Sequence, residues 1–483
     1  MSKLLRHLSS LSEKESRRFQ KFVQSPYFNQ EQKLVQLLQL LDPIPETLDR
    51  EVLHQAIYPE LSFDYPRITN LLSDLSQLVE QFLVVEYQQV PSHQRARTQL
   101  ASFRTHSNHH DWKLVHQKQV KELHSKSFWS EEDLFHRYAL EEEVYVSLLE
   151  QDQRVNHQQL EQKIEAMDTY YVAVMLKNVC QWLNHQNVLK EKEENLRYRR
   201  FIEFLSSGIE LYLIHPLIHC YYQIYLTLTQ ADTPQHYYTL FQLLNMHHKE
   251  IPHDELKPMY QYAQNYCVKR VNQGDSSFLS ELLKVYERML EQGLLFHQGQ
   301  ISASIVKNIV TLGVRLKRYE WTLVFLKKYK NHLPEDQKEA VTNYNLAYIH
   351  YHQGEAEKAL QHLRFFHFQD IFYLLGSKLL LMKIYVDIHD YESLDAHLHA
   401  FEGLLRRDKR ISSYQRKNYL ATIRMVKRLT NLRTKAITLS PKAFQEHCQR
   451  YAKQLQEQKS LLSLAWLRSK LDEIRSEAIL NIR

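Results

Sequence analysis

Apolar residues fall three and four apart along most of this chain, the spacing of helices that each bury one face. Near the start, Phe19, Phe22 and Val23 follow Ser12-Glu-Lys-Glu15, which has the serine and glutamate spacing of a capping box. Ser25-Pro-Tyr-Phe-Asn29 breaks that helix, and leucines at helical spacing predict a second over 31–41. Prolines 43, 45, 59 and 66 punctuate the connections to a third, Arg67 to Glu86, whose apolar face runs from Ile68 through Leu75 to Phe82. Residues 91–208 read as polar and helical, anchored by Trp112, Phe128, Trp129, Phe135 and Trp182. Lys190-Glu-Lys-Glu-Glu194 mixes charge signs, as a solvated face does. From 209 onward, long amphipathic segments pair as hairpins, with breaks near Pro234, Pro252, Gly274, Gly299 and Pro334. No strand-like run with hairpin-turn chemistry stands out.

The hairpins repeat. Leu346 is preceded by Ile309 and followed by Leu381, at lags of 37 and 35 residues. In the second helices, Thr322, Ala359 and Leu394 keep the same lags, as do the aromatics Tyr329, Phe366 and Phe401. A looser copy spans Tyr266 to Tyr286. A chain periodic on this scale is a stack of supersecondary units rather than one catalytic globule.

Asn345-Leu-Ala and Gly354-Glu-Ala-Glu-Lys-Ala-Leu360 resemble the helix A and helix B signatures of the tetratricopeptide-repeat superfamily, over about residues 305–402. Val306, Asn343 and Lys378 stand where that family has its helix A tryptophan, and Tyr329, Phe366 and Phe401 where it has a small residue late in helix B. Rings there would space the helices more widely. The whole chain also resembles large bacterial helical-repeat proteins, a likeness that carries no activity with it. The resemblance implies an all-α, TPR-like helical-hairpin solenoid with an N-terminal helical cap. Its regions would be 1–90 (cap), 91–208 (middle), 209–406 (repeats) and 407–483 (basic C-terminal helices). It also implies a concave groove for a protein or peptide partner. Carried over by position, the groove residues are Lys307, Thr311 and Arg315, then Tyr344, Tyr348, Tyr351 and His352, then Lys383 and Asp387. The three tyrosines share one helix face. Such rings suit peptide contact, and equally suit packing against the next repeat.

Composition narrows the classes. Only eight glycines occur in 483 residues, which argues against β-rich folds and glycine-loop folds. Four dispersed cysteines (180, 220, 267, 448) form no C-x-x-C pair, as expected for reduced thiols in a cytoplasmic protein. The N-terminus lacks an apolar stretch of signal-peptide length, and the most apolar regions, 209–228 and 371–386, are broken by charged and polar residues, so no membrane span is expected. Residues 49–57 followed by 67–86 resemble the paired helices of winged-helix regulators. The would-be recognition helix, however, sets Arg67 against Asp74, Glu80 and Glu86, and no glycine-turned wing follows, so a helical cap is expected instead. The i, i+4 pairs His106/His110 and His215/His219 lack the companion carboxylate of a metalloprotease helix. No phosphate loop, dinucleotide fingerprint or nucleophile elbow is present. The chain thus reads as non-catalytic, with no metal and no cofactor.

Charge adds one more feature. Residues 406–435 hold eleven Lys and Arg against one acid, Asp408, so this window is +10 in a chain of net +6. Wound as a helix over 411–429, Arg416, Lys417, Arg424, Lys427 and Arg428 fall on one side. This basic stripe is expected either to meet nucleic acid or an acidic partner, or simply to be solvated.

Overall fold

The computed structural model describes residues 2–88, 93–189, 196–363, 370–458 and 461–480; the charge-mixed stretch 190–194 and Phe366 lie outside the described residues. The chain divides into two compact units, 1–252 and 253–483, at the Pro252 break.

The first unit contains α1 (Lys3–Ser10), α2 (Glu13–Gln24), α3 (Gln32–Leu40), α4 (Arg50–Ile57), α5 (Tyr65–Gln88), α6 (His93–Thr105), α7 (His109–His124), α8 (Glu131–Glu150), α9 (His157–Leu189), α10 (Leu196–Ser206), α11 (Pro216–Thr229) and α12 (Gln235–His247). The capping box forms: Ser12 N donates to Glu15 Oε2 at 2.8 Å, and Ser12 Oγ accepts from Glu15 N. The Ser25-Pro26 break follows directly, because proline has no amide to continue the helix. α1 to α4 close around α5, burying Phe19, Val23, Leu37, Ile68, Leu75 and Phe82 in one core.

The second unit contains α13 (His253–Asn272), α14 (Phe278–Glu291), β1 (Phe296–His297), β2 (Gln300–Ile301), α15 (Ala303–Arg315), α16 (Tyr319–Tyr329), α17 (Lys338–His352), α18 (Ala356–Leu363), α19 (Ile371–Asp387), α20 (Tyr391–Arg407), α21 (Ser413–Thr438), α22 (Pro441–Glu457) and α23 (Leu464–Leu480). Successive helices pack as hairpins, and α15 also packs on α17, α17 on α19 and α21 on α23. Each repeat turn is closed in the same way. Lys317, Gly354 and His389 have positive φ (56°, 84° and 60°) and stand 37 and 35 residues apart. The next amide in each turn reaches back over the helix end: Arg318 to Gly313, Glu355 to His350 and Asp390 to Tyr385. This left-handed cap satisfies carbonyls that the helix leaves open. The repeat period seen in the side chains is therefore also present in the backbone. Thr322, Ala359 and Leu394 are all buried. At Gly313 a methyl group would overlap Thr322 Oγ1, so the glycine is what lets α16 approach α15.

Three sequence expectations need correction. One strand pair does exist: β1 and β2 form a minimal antiparallel hairpin. Its turn, Gln298-Gly299, has positive φ at both residues, as a type I′ turn requires. His106 and His110 do not share a helix, because α6 ends at Thr105, Ser107 turns with φ 54° and α7 begins at His109. The basic helix is also longer than expected: Ile411 precedes its Ser412 cap, and the helix runs to Thr438.

All four cysteines are buried, and none is in a disulfide. Among the described residues, no helix is long and apolar enough to cross a membrane.

Candidate functional site

The nine expected groove residues lie on α15, α17 and α19 of the second unit, and they differ in accessibility. Tyr344 is buried, only 5% exposed. Its ring meets Tyr373 edge-on at 5.0 Å and lies under the Lys307 ammonium at 5.2 Å. Gly376 makes room for it, since a methyl there would lie 2.7 Å from the Tyr344 hydroxyl. Lys307 is tied down in turn: it donates to the Phe372 carbonyl at 3.1 Å and covers the Tyr373 ring. Tyr373 donates to the Ala303 carbonyl at 2.7 Å, so the start of α19 is pinned to the start of α15.

Further along the same face, Tyr351 donates to Asp387 Oδ2 at 2.7 Å. Lys470 of α23 pairs with Asp387 at 2.9 Å and with Glu473 at 2.6 Å. Lys383 lies 5.7 Å from the Trp466 ring, also from α23. The tyrosine stripe is thus split. Tyr344 is buried and Tyr351 half-buried, both packed against later helices, whereas Tyr348, also half-buried, lies beside His352 on its own helix, with ring centroids 4.6 Å apart. Arg315 and His352 are exposed, and Thr311 is half-buried.

Burial sets the electrostatics of this face. It lowers the Lys307 ammonium and brings Lys383 down to about 8, with Asp387 opposing the latter shift. Close packing around the His352 ring, helped by the Lys383 charge, lowers it as well, although the side chain still reaches solvent. Burial raises the hydroxyls of Tyr344 and Tyr351. With Lys470, its second partner Glu473 and the Asp370 carboxylate that faces Lys307 included, four cations stand against three acids, which leaves the exposed Arg315 as the surplus positive charge of the face.

The basic stripe is likewise divided. Arg416 donates to the Leu405 carbonyl at 2.6 Å and, more weakly, to the carbonyls of Asp408 and Ile411, closing the C-terminal end of α20. Lys427 pairs with Glu402 at 2.9 Å. Arg428 is exposed but donates to Gln454 at 2.9 Å. Lys417 and Arg424 are exposed and make no ion pair or hydrogen bond among the described residues. They stand seven apart, two turns along one face.

A polar cluster in the first unit was not visible in the sequence. Asp133 is buried and accepts from His93 Nε2 at 2.7 Å, Lys126 Nζ at 2.5 Å and Ser130 N at 3.0 Å. Burial alone would raise this carboxyl, but the donors overcome it and hold it well below the usual carboxylate range. His136 stacks on His93 at 4.0 Å and is pushed down to about 3, by burial first and then by the nearby positive charges. His93 and Asp133 are 40 residues apart and on different helices, and only their separate patterns are present in the chain. Among the described residues, no group of three or more His, Cys, Asp or Glu is placed to hold a metal ion.

Comparison with family models, curated proteins and solved structures gives no match for the chain.

Proposed function

We propose that this protein is a non-catalytic, TPR-like interaction scaffold that binds an acidic peptide segment of a partner on the α15–α17–α19 face. The observation that carries the reading is the unbalanced charge of that face. Arg315 is exposed, makes no ion pair among the described residues and lies near Tyr348, and Lys383 lies near His352, while Asp387 is neutralised by Lys470. An aromatic contact beside an unpaired cation favours a partner that brings a carboxylate. The buried tyrosines serve as the floor of the face, and Arg315, Tyr348 and His352 as its contacting edge.

Selection from a displayed peptide library checks this reading. The full chain should enrich acidic sequences, and Arg315→Glu should lose that enrichment by about tenfold, as expected for reversing a charge at a complementary contact. Lys417→Glu should leave it intact. Enrichment without acidic bias, or unchanged in Arg315→Glu, would remove the proposal.

A second reading is that the α21 surface contacts nucleic acid, and the exposed, unpaired Lys417 and Arg424 are what favour it. With Arg416 and Lys427 committed to the fold, about three cations (Lys417, Arg424 and Arg428) are left for phosphates. The salt slope of log affinity should then be about −2 for single strands and about −2.7 for duplex, from 0.7 or 0.9 counterions per phosphate contact. A slope near zero in a fluorescence-anisotropy titration would eliminate this reading. A slope near −4 would mean that the Arg416 and Lys427 contacts open on binding.

A further inference from the structure

The first unit contains a cavity of about 520 Å³ between α1, α4 and α5. Thr69, Ser73, Gln77 and Glu80 line it from one face of α5, at the three- and four-residue spacing of a helix. Glu80 is the one carboxylate in the wall, and it is bound to Lys3 at 2.6 Å. Arg50, the first residue of α4, lies over the Tyr65 ring at 5.3 Å, and its Nε is buried without a hydrogen-bond partner. Thr69 Oγ1, which lines the same cavity from α5, is also buried and unpartnered. Ser73 and Gln77 are exposed and make no hydrogen bond within the protein among the described residues. The cavity therefore presents a guanidinium, two hydroxyls and a side-chain amide, and the charge of its only acid is already spent.

Buried donors left unpaired are costly, so the presence of two in the lining of one cavity calls for an acceptor from outside the chain. A guanidinium forks onto two oxygens of a carboxylate or phosphate, and hydroxyls on the same side can complete the coordination of such a group. The volume is that of a small-molecule site, and Leu48 and Leu72 supply an apolar wall for a compact organic body. We propose that this cavity binds a small oxyanion, the phosphate or carboxylate group of a low-molecular-weight ligand, with Arg50 as the charge partner and Thr69 as a neutral donor. This site is independent of the peptide-binding reading and belongs to the other unit.

Isothermal titration of the full chain with inorganic phosphate, and separately with citrate, in a low-ionic-strength chloride buffer tests the assignment. The expected result is one saturable site for at least one of the two probes, and which probe binds distinguishes a phosphate ligand from a carboxylate one. Arg50→Gln should weaken binding by about tenfold or more, the loss of one charge-assisted pair. Thr69→Val gives a second readout that does not depend on the arginine variant folding. It should weaken binding several-fold while leaving the urea midpoint of the unliganded protein unchanged or higher, because it removes a hydroxyl that has no partner. Absence of saturable heat with both probes would overturn the proposal, as would native affinity in both variants; the donors would then be served by water alone.

Discussion

Replacing Tyr344 by alanine is expected to lower the unfolding free energy of the second unit by about 3–5 kcal/mol, the cost of deleting a large buried ring. The ring is enclosed by Tyr373, Lys307 and the Gly376 backbone, so little of the void can close. It would also leave Lys307 beside an empty hole in a poorly hydrated site, an added penalty for a cation. Tyr348→Ala should cost much less, because its ring is only half-buried. Urea denaturation followed by circular dichroism separates the two variants. Equal, small losses would mean that Tyr344 faces solvent and that the packing described above is wrong.

The second large effect is acid destabilisation. His136 and His397 are held neutral in the fold, at about 3 and about 4. For each, burial is the leading cause. At His136 it is reinforced by His93, Arg97 and Lys126 and opposed by Asp133; at His397 it is opposed by a hydrogen bond to the Lys378 carbonyl. An unfolded histidine takes its proton near pH 6.5. Between that pH and the folded values, the unfolded chain binds more protons than the native one, so stability falls as pH falls. It is complete above pH 6.5 and is lost progressively towards pH 3–4. At pH 5 each histidine costs its unit about 2 kcal/mol, from roughly 1.4 kcal/mol per pH unit over 1.5 units. Asp133 acts in a lower window: its depressed carboxyl keeps its contribution until the pH falls below about 4. Loss of stability between pH 7 and 5 therefore belongs to the histidines. Urea midpoints over that range should decline as pH falls, and His136→Gln should reduce the part due to the first unit, where burial also lowers His116, His215 and His219. A level profile from pH 7 to 5 would contradict the burial of these rings.

Much of the local structure was legible in the residues. The Ser12–Glu15 box, the Ser25-Pro26 stop and the lags of 37 and 35 all correspond to observed elements. These signals are local, or repeat at fixed spacing, so they survive without knowledge of the tertiary neighbours. The repeat turn itself was half legible: Gly354 announces a left-handed cap, but Lys317 and His389 adopt the same backbone with side chains that do not. Position on a helical wheel showed which tyrosines share a face, yet not that α19 covers one of them while leaving its neighbour at the edge. The same limit applies to the stripe, where five aligned cations differ only in what α20 and α22 place beside them. The Asp133 cluster and the Arg50 cavity join residues from separate helices, and no short-range pattern encodes such a meeting.

The ties between α15 and α19 have a consequence for how the second unit comes apart. In a row of hairpins that touch only their immediate neighbours, each can fray in turn, and stability is a sum of local terms. Here the Lys307–Phe372 and Tyr373–Ala303 hydrogen bonds pass over the intervening hairpin and join the first helix of one repeat to the first helix two repeats on. The α17–α18 hairpin is thereby bracketed, and releasing it means breaking contacts it does not itself make. Three hairpins should open as one block, and amide protons on α17 should exchange no faster than those on α15 and α19.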